Sequence, residues 1–143
     1  MIFRNLKYDD YDNGYLCLLE QLTEVNPEKI TFDNFASFIN NLNDNHIIII
    51  IEKDNKIIAS GTLFIENKII HGISKVGHLE DIVVDKNTRG LGLGKELITY
   101  LYNLAYLEGC YKVILNCKES NCEFYEKCGF EKKEAEMVKY FDI

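Results

Sequence analysis

The stretch Val83-Val84-Asp85-Lys86-Asn87-Thr88-Arg89-Gly90-Leu91-Gly92-Leu93-Gly94-Lys95 limits the possible folds more than any other part of the chain. It leaves an apolar run, Ile82-Val83-Val84, passes three alternate glycines, and enters a segment where Leu93, Leu97, Ile98, Leu101, Leu104 and Ala105 recur at helical spacing. Gly109 supplies a natural C-terminal stop. A strand, a tight loop and an amphipathic helix must therefore follow one another, and the helix must pack on a sheet. Alternate glycines let the backbone turn sharply and aim several N–H groups into one hollow. At a helix N-terminus those unpaired donors and the positive dipole end attract phosphate. Arg89 and Lys95 add charge at the rim.

Two familiar phosphate loops fail the spacing. A P-loop needs a glycine where this chain has Arg89, and Ser or Thr where it has Glu96. The dinucleotide fingerprint needs G-x-G-x-x-G, whereas Gly90, Gly92 and Gly94 are evenly spaced.

The rest of the chain supplies the sheet. Ile2 to Leu6 reads as a first strand, followed by helices over Tyr15 to Glu24 and from about Thr31, the latter placing Phe32, Phe35, Phe38, Ile39 and Leu42 on one face. Ile47 to Glu52 must be a strand, because β-branched residues crowd a helix and fit a pleat. The turn Lys53-Asp54-Asn55-Lys56 returns it as a hairpin with Ile57 to Ile65, and His78 to Val84 forms a further strand whose apolar end suits burial on both faces. Tyr111 to Cys117 is expected as a strand, Ser120 and Glu123 as the capping box of a short helix ending at Gly129, and Ala135 to Phe141 as a last strand. The order implies a single α/β domain over 1–143, a mixed sheet covered by helices.

Composition bounds the function. The chain has 143 residues and 47% apolar residues, an ordinary globular make-up that buries roughly 70% of the unfolded surface. A net charge of −7 disfavours nonspecific binding to nucleic acid or anionic membrane, and leaves room for a small anionic ligand held by a local basic pocket. No run approaches the ~20 apolar residues of a membrane helix, and MIFRNLKYDD lacks a secretory apolar core. Five scattered cysteines and three histidines give no zinc spacing, so no metal is expected; reduced thiols point to the cytoplasm.

Arg89-x-x-Gly92-x-Gly94, flanked by its strand and helix, together with Asn121-x-x-x-Tyr125-x-x-x-Gly129-Phe130, resembles the GCN5-related N-acetyltransferases. Lys68-Ile69-Ile70-His71, Gly77-His78-Leu79-Glu80-Asp81-Ile82-Val83-Val84, Gly109-Cys110-Tyr111-Lys112 and Phe124 to Phe130 are similar, at matching spacing, to the glucosamine-6-phosphate N-acetyltransferases within that superfamily. The resemblance implies a mostly antiparallel central sheet with helices on both faces and a splayed strand pair. It implies direct transfer of acetyl from acetyl-CoA to the 2-amine of glucosamine 6-phosphate, on the way to UDP-N-acetylglucosamine, in a homodimer. The same fold acting on a polyamine, an antibiotic or a protein N-terminus, and a non-catalytic acyl-CoA-binding regulator, remain as alternatives.

Residue roles follow from that resemblance. The backbone of Ile82, Val83 and Val84 would hold the acyl oxygen, since attack on a thioester develops an oxyanion that needs fixed donors. Residues Arg89, Gly90, Leu91, Gly92, Leu93, Gly94 and Lys95, with Asn121, would hold coenzyme A. Tyr125 would protonate the departing thiolate; a phenol with a reference pKa near ~10 keeps its proton at neutral pH. Glu80 and Asp81 would contact the amino sugar. Asn116 stands where the family often has an aspartate, and an amide can orient an amine without taking its proton. Thr23, Lys68, Ile69, Ile70, His71, Tyr111 and Lys112 would bind the sugar phosphate. Near the C-terminus Tyr140 occupies the place of a phosphate-binding arginine, with Lys139 beside it; lysine is a point charge where arginine is a fork.

Overall fold

The structure, a computed structural model, describes residues 1–142. One sheet runs in the order β1-β2-β3-β4-β5, with β1 Ile2–Asn5, β2 His46–Lys53, β3 Lys56–Asn67, β4 Lys75–Val84 and β5 Lys112–Ile114. Neighbours are antiparallel up to β4, and β4 pairs β5 in parallel. The helices are α1 Tyr15–Glu20, α2 Phe32–Asn40, the kinked turn α3 Ile70–Ile73, α4 Leu93–Leu107 and α5 Cys122–Lys127.

The isoleucine run of β2 divides the core. Ile49 and Ile51 pack with Leu93, Leu97, Ile98, Leu101 and Ala105 of α4, while Ile48 and Ile50 pack with Tyr15, Leu16 and Leu18 of α1 and Phe35 of α2. A strand shows alternate side chains to opposite faces, so five apolar residues in succession require helices on both sides. Ile50 and Ile51 are fully buried, and each such side chain contributes ~1.5–3 kcal/mol. The β2–β3 turn places Asp54 at φ 52 and Asn55 at φ 62. Two successive positive φ values match the twist of a tight hairpin. Near this hairpin end Arg4 of β1 donates to fully buried Asp10 and to Glu52 of β2, clipping the chain start to the sheet.

Several expected boundaries move. The first helix stops at Glu20 rather than Glu24, leaving Leu22 exposed. In α2, Thr31 and Asn34 cap each other reciprocally, but only Phe35 is buried; Phe32 lies edge-on to Tyr8 and Tyr11, and Phe38 edge-on to His46. The strand expected over Tyr111 to Cys117 keeps only Lys112–Ile114, where it has a partner. The box expected from Ser120 and Glu123 does not form: a 3₁₀ turn, Glu119–Asn121, leads directly into α5, whose first turn has no side-chain cap. The last strand does not form among the described residues. Residues 131–142 take no regular structure, and Met137, Val138, Tyr140 and Phe141 are exposed. The sheet edge that follows α4, β5, is three residues long, too short a template for a seven-residue partner.

A bulge in β4 sets up the site. Thr62 pairs with Glu80 and Ser60 with Val83, so Gly61 alone faces both Asp81 and Ile82. Asp81 takes φ 51 to accommodate the extra residue. A Cβ on Gly61 would sit 2.7 Å from Ile82 Cδ1, 3.0 Å from Leu101 Cδ1 and 3.2 Å from Leu97 Cδ2. Glycine lets α4 and Ile82 close over the bulge.

Candidate active site

The sheet opens after His78, on the approach to the bulge. β5 pairs β4 only at Val76–Lys112, Gly77–Val113 and His78–Ile114, while β4 continues to Val84. The Asp85 amide donates to Ile58 O on β3 at 2.8 Å. Alternation along the strand turns the Val84 N–H, and the Ile82 N–H before it, away from β3 towards the gap that β5 leaves. Their neighbour Val83 buries its side chain against α1 and α2, while Ile82 and Val84 pack on the α4 side. The gap thus offers backbone donors between well-packed walls.

Polar contacts fix the strand end. Asp85 is buried and accepts from Gln21 Nε2 at 3.1 Å, and Lys86 N donates to Gln21 Oε1 at 2.8 Å. Thr88 Oγ1 and N both donate to Asp85 O. The Gln21 donor, with help from Asn87 N and Lys56, holds the Asp85 carboxyl below its ordinary range despite burial. Neither Gln21 nor this role of Asp85 is evident from the sequence; an Asp-x-Asn turn at a strand end is the one local sign.

The glycine loop then crosses the mouth of the gap. Gly90 at φ 88 and Gly92 at φ 77 are left-handed with open space where a Cβ would stand, and Gly92 caps α4 without a side chain. The first-turn amides of this 15-residue helix and the exposed Arg89 and Lys95 surround the loop. Among the described residues neither cation has an ion-pair partner. Gly94 serves packing instead. A Cβ there would lie 3.1 Å from Phe124 Cζ, so its absence lets α5 dock on the start of α4. The loop suits a diphosphate, with two accommodating glycines, convergent N–H groups and two unpaired cations.

Docking of α5 packs Tyr125 on the same α4-side cluster that Ile82 and Val84 border. Its ring is half-buried against the α4-side core, edge-on to Phe124 and Phe130, and its hydroxyl bonds no described residue. Burial, then proximity to Cys117 and Cys128, raises its pKa, so the phenol keeps its proton at neutral pH. Asn121 lies at the start of α5 and Asn116 just past the end of β5, both exposed. Glu80 and Asp81 project at the bulge. Burial, then the Asp81 charge, pushes the Glu80 carboxyl above the usual range, and Glu136 of the C-terminal segment adds to the rise. Across β3, Tyr15 OH and Ser60 Oγ form a buried 2.9 Å bond, and burial drives the Tyr15 phenol up to about 12. That bond anchors the bulge from beneath.

The other expected substrate residues gather elsewhere. His71, Tyr111 and Lys112 cluster at the opposite end of β4: the His71 and Tyr111 rings are 5.0 Å apart, Lys112 Nζ is 5.5 Å from the Tyr111 ring centre, and Tyr111 N donates to Lys75 O. Lys68 is paired with Glu66 at 3.1 Å, and Ile69 and Ile70 are exposed on the same turn. Five steps of strand lead from Lys75 to Glu80, roughly 16 Å at ~3.3 Å per residue. Thr23 lies just beyond Gln21 on the loop side, exposed, and Lys139 and Tyr140 belong to the exposed C-terminal segment. Among the described residues no three His, Cys, Asp or Glu side chains are grouped to hold a metal ion, and no helix is long and apolar enough to cross a membrane.

Comparison with known proteins gives this geometry its context. The Acetyltransferase (GNAT) family model matches residues 11–130. Glucosamine 6-phosphate N-acetyltransferase 1 of Dictyostelium discoideum is 46% identical over 140 residues, covering 96% of this chain and 89% of that protein. The glucosamine 6-phosphate N-acetyltransferase of Candida albicans is 43% identical over 143 residues, covering 97% and 95%. The crystal structure of glucosamine-6-phosphate N-acetyltransferase from Arabidopsis thaliana superposes with a TM-score of 0.93 at 40% identity, covering 99% of this chain and 98% of the other. The mixed, mostly antiparallel sheet, its two helical layers and its splayed β4–β5 pair are those expected, and the chain belongs to the GNAT family of acetyltransferases.

Proposed function

We propose that this chain transfers acetyl from acetyl-CoA to the 2-amine of D-glucosamine 6-phosphate, giving N-acetyl-D-glucosamine 6-phosphate and CoA, as a cytoplasmic step towards UDP-N-acetylglucosamine. The observation that carries this reading is the 46% identity to an enzyme of that name across nearly the whole of both chains. The opened strand pair beside a phosphate-fitting loop supports the same chemistry.

Bound acetyl-CoA supplies a thioester whose carbonyl accepts the amine. The chain does the rest. Residues 89–95 fix the diphosphate by backbone N–H groups, Arg89 and Lys95, and Asn121 lies alongside. Ile82 and Val84 N–H groups meet the carbonyl oxygen as it gains charge, in a site where preorganised donors are worth several kcal/mol. Tyr125 delivers its proton to the departing sulfur. Glu80, with its raised pKa, holds the amine and takes its proton directly or through water, and Asn116 orients the same group without titrating. The five cysteines have no covalent part in this direct attack.

A homodimer completes the reading. Lys68 to His71 and Tyr111-Lys112 lie a strand's length from Glu80, and the exposed segment with Met137, Val138, Lys139, Tyr140 and Phe141 has no place in its own sheet. Exchange of that segment between two copies would bring one copy's Lys139 and Tyr140 to the other's bulge, with Thr23 closing the loop side.

Acetyl transfer to glucosamine 6-phosphate, glucosamine and spermidine, read as CoA released, tests the substrate. Turnover with the sugar phosphate should exceed that with glucosamine by at least tenfold. Equal rates would overturn phosphate recognition, preference for spermidine would mark a different amine acetyltransferase, and no CoA with any amine would mark an acyl-CoA-binding regulator.

A further inference from the structure

We propose that Cys117 and Cys122 form an intramolecular disulfide on exposure to a low-molecular-weight disulfide, and that this bond slows acetyl transfer by tying the end of β5 to the start of α5. The two sulfurs are 3.8 Å apart, and Cys122 Sγ also lies 3.9 Å from Lys118 O. Among the described residues no other pair of thiols is in contact. Cys117 is exposed and Cys122 half-buried, so a small oxidant reaches the first directly.

The exchange balances. The Cys117 thiolate attacks one sulfur of the oxidant and releases one small thiol. The Cys122 thiolate then attacks the Cys117 sulfur of the mixed disulfide and releases the second. Both protein protons end on the released thiols, the two cysteines are oxidised, and the oxidant is reduced to two thiols. Burial and the neighbouring Cys122 keep the Cys117 thiol above its ordinary pKa, so bond formation should quicken as pH rises towards 9.

Closure draws two parts of the site together. A disulfide requires ~2.05 Å between sulfurs, so a gap of 3.8 Å must close by movement of residues 116–118 or of the first turn of α5. Asn116 precedes Cys117, and Tyr125 lies one helical turn beyond Cys122. Displacing a positioned group by ~1 Å costs on the order of 100-fold in rate. In a reducing compartment such a bond is transient, which suits a reversible brake.

Oxidised glutathione treatment at pH 8.5, followed by alkylation and trypsin, tests the pair, because cleavage at Lys112, Lys118 and Lys127 separates the cysteines onto different peptides. Peptides 113–118 and 119–127 should appear joined. The kcat for the sugar phosphate should fall at least tenfold, return with dithiothreitol, and hold steady under oxidant in Cys122→Ser and Cys117→Ser. Separately alkylated peptides, glutathione adducts alone, or linkage to Cys128 would overturn the site; a joined pair with unchanged kcat, or equal loss in both serine variants, would overturn the brake. The effect on turnover rests on the proposed acetyl transfer, whereas the peptide map holds whichever amine is the acceptor, so the two readings fail separately.

Discussion

Gly61→Ala tests the link between packing and chemistry. The new methyl would sit 2.7 Å from Ile82 Cδ1, 3.0 Å from Leu101 Cδ1 and 3.2 Å from Leu97 Cδ2. Overpacking of a core costs ~1–3 kcal/mol. All three obstructing atoms are methyl tips that can swing, so the low end of that range applies, about 1–1.5 kcal/mol. For a chain of this length 1 kcal/mol is worth roughly 2–4 °C, so Tm should fall by about 2–6 °C, read by circular dichroism. The nearest tip belongs to Ile82, whose N–H faces the gap, so kcat should fall several-fold more than the KM for acetyl-CoA rises. Ile82→Val removes Cδ1 and alone costs about 0.5–1.5 kcal/mol. In the double variant the closest contact, that with Ile82 Cδ1, is gone while those with Leu101 and Leu97 remain, and the two costs should fall short of their sum by about 0.5–1 kcal/mol, as expected for residues in contact. Additive costs in Gly61→Ala/Ile82→Val would refute the reasoning, as would a Gly61→Ala enzyme with unaltered Tm and kcat.

Tyr125→Phe should lower kcat by about 100-fold, within the usual range for a lost general acid, while the acetyl-CoA KM stays within twofold in steady-state kinetics. In the proposed role Glu80 loses its base function as pH falls through its raised pKa, so the acid limb of kcat/KM should include an enzyme group above the ordinary glutamate range, and Glu80→Gln should make that limb shallower, leaving the ionisation of the substrate amine. Asp85 is the opposite case: its depressed pKa contributes stability that is present above the unfolded value and lost as pH falls through the folded one. Removing the Gln21 donor in Gln21→Ala should shrink that contribution and move acid unfolding, followed by circular dichroism, to higher pH.

The central part of the molecule is legible in the sequence because its signals are local. Five isoleucines, a turn of Asp54-Asn55 and evenly spaced glycines dictate β2, the hairpin and the loop–α4 unit through side-chain alternation and backbone freedom alone. What escapes such reading depends on partners remote in the chain. β5 ends at Ile114, opposite His78 and three residues short of the bulge at Asp81, and no residue of 111–117 announces that. The terminal run from Ala135 has strand-like composition, but a strand needs an edge, and β5 offers it only three residues. Gln21 and Asp85 are 64 residues apart, and the Cys117–Cys122 contact depends on how a 3₁₀ turn folds back. The roles of Tyr125, Glu80 and the cations come from motif likeness; spacing alone does not separate them from ordinary surface or core residues.

The sheet order repeats the chain order, each strand lying beside the one made just before it. Nascent polypeptide emerging from a ribosome could therefore assemble the β2–β3–β4 ribbon without waiting for downstream sequence, since hairpin closure involves short loops with small entropic cost. Cys122–Lys127, which carries the phenol, is the last helix to be synthesised among the described residues. The glycine loop and the open end of β4 are thus complete in the chain before the helix that bears Tyr125.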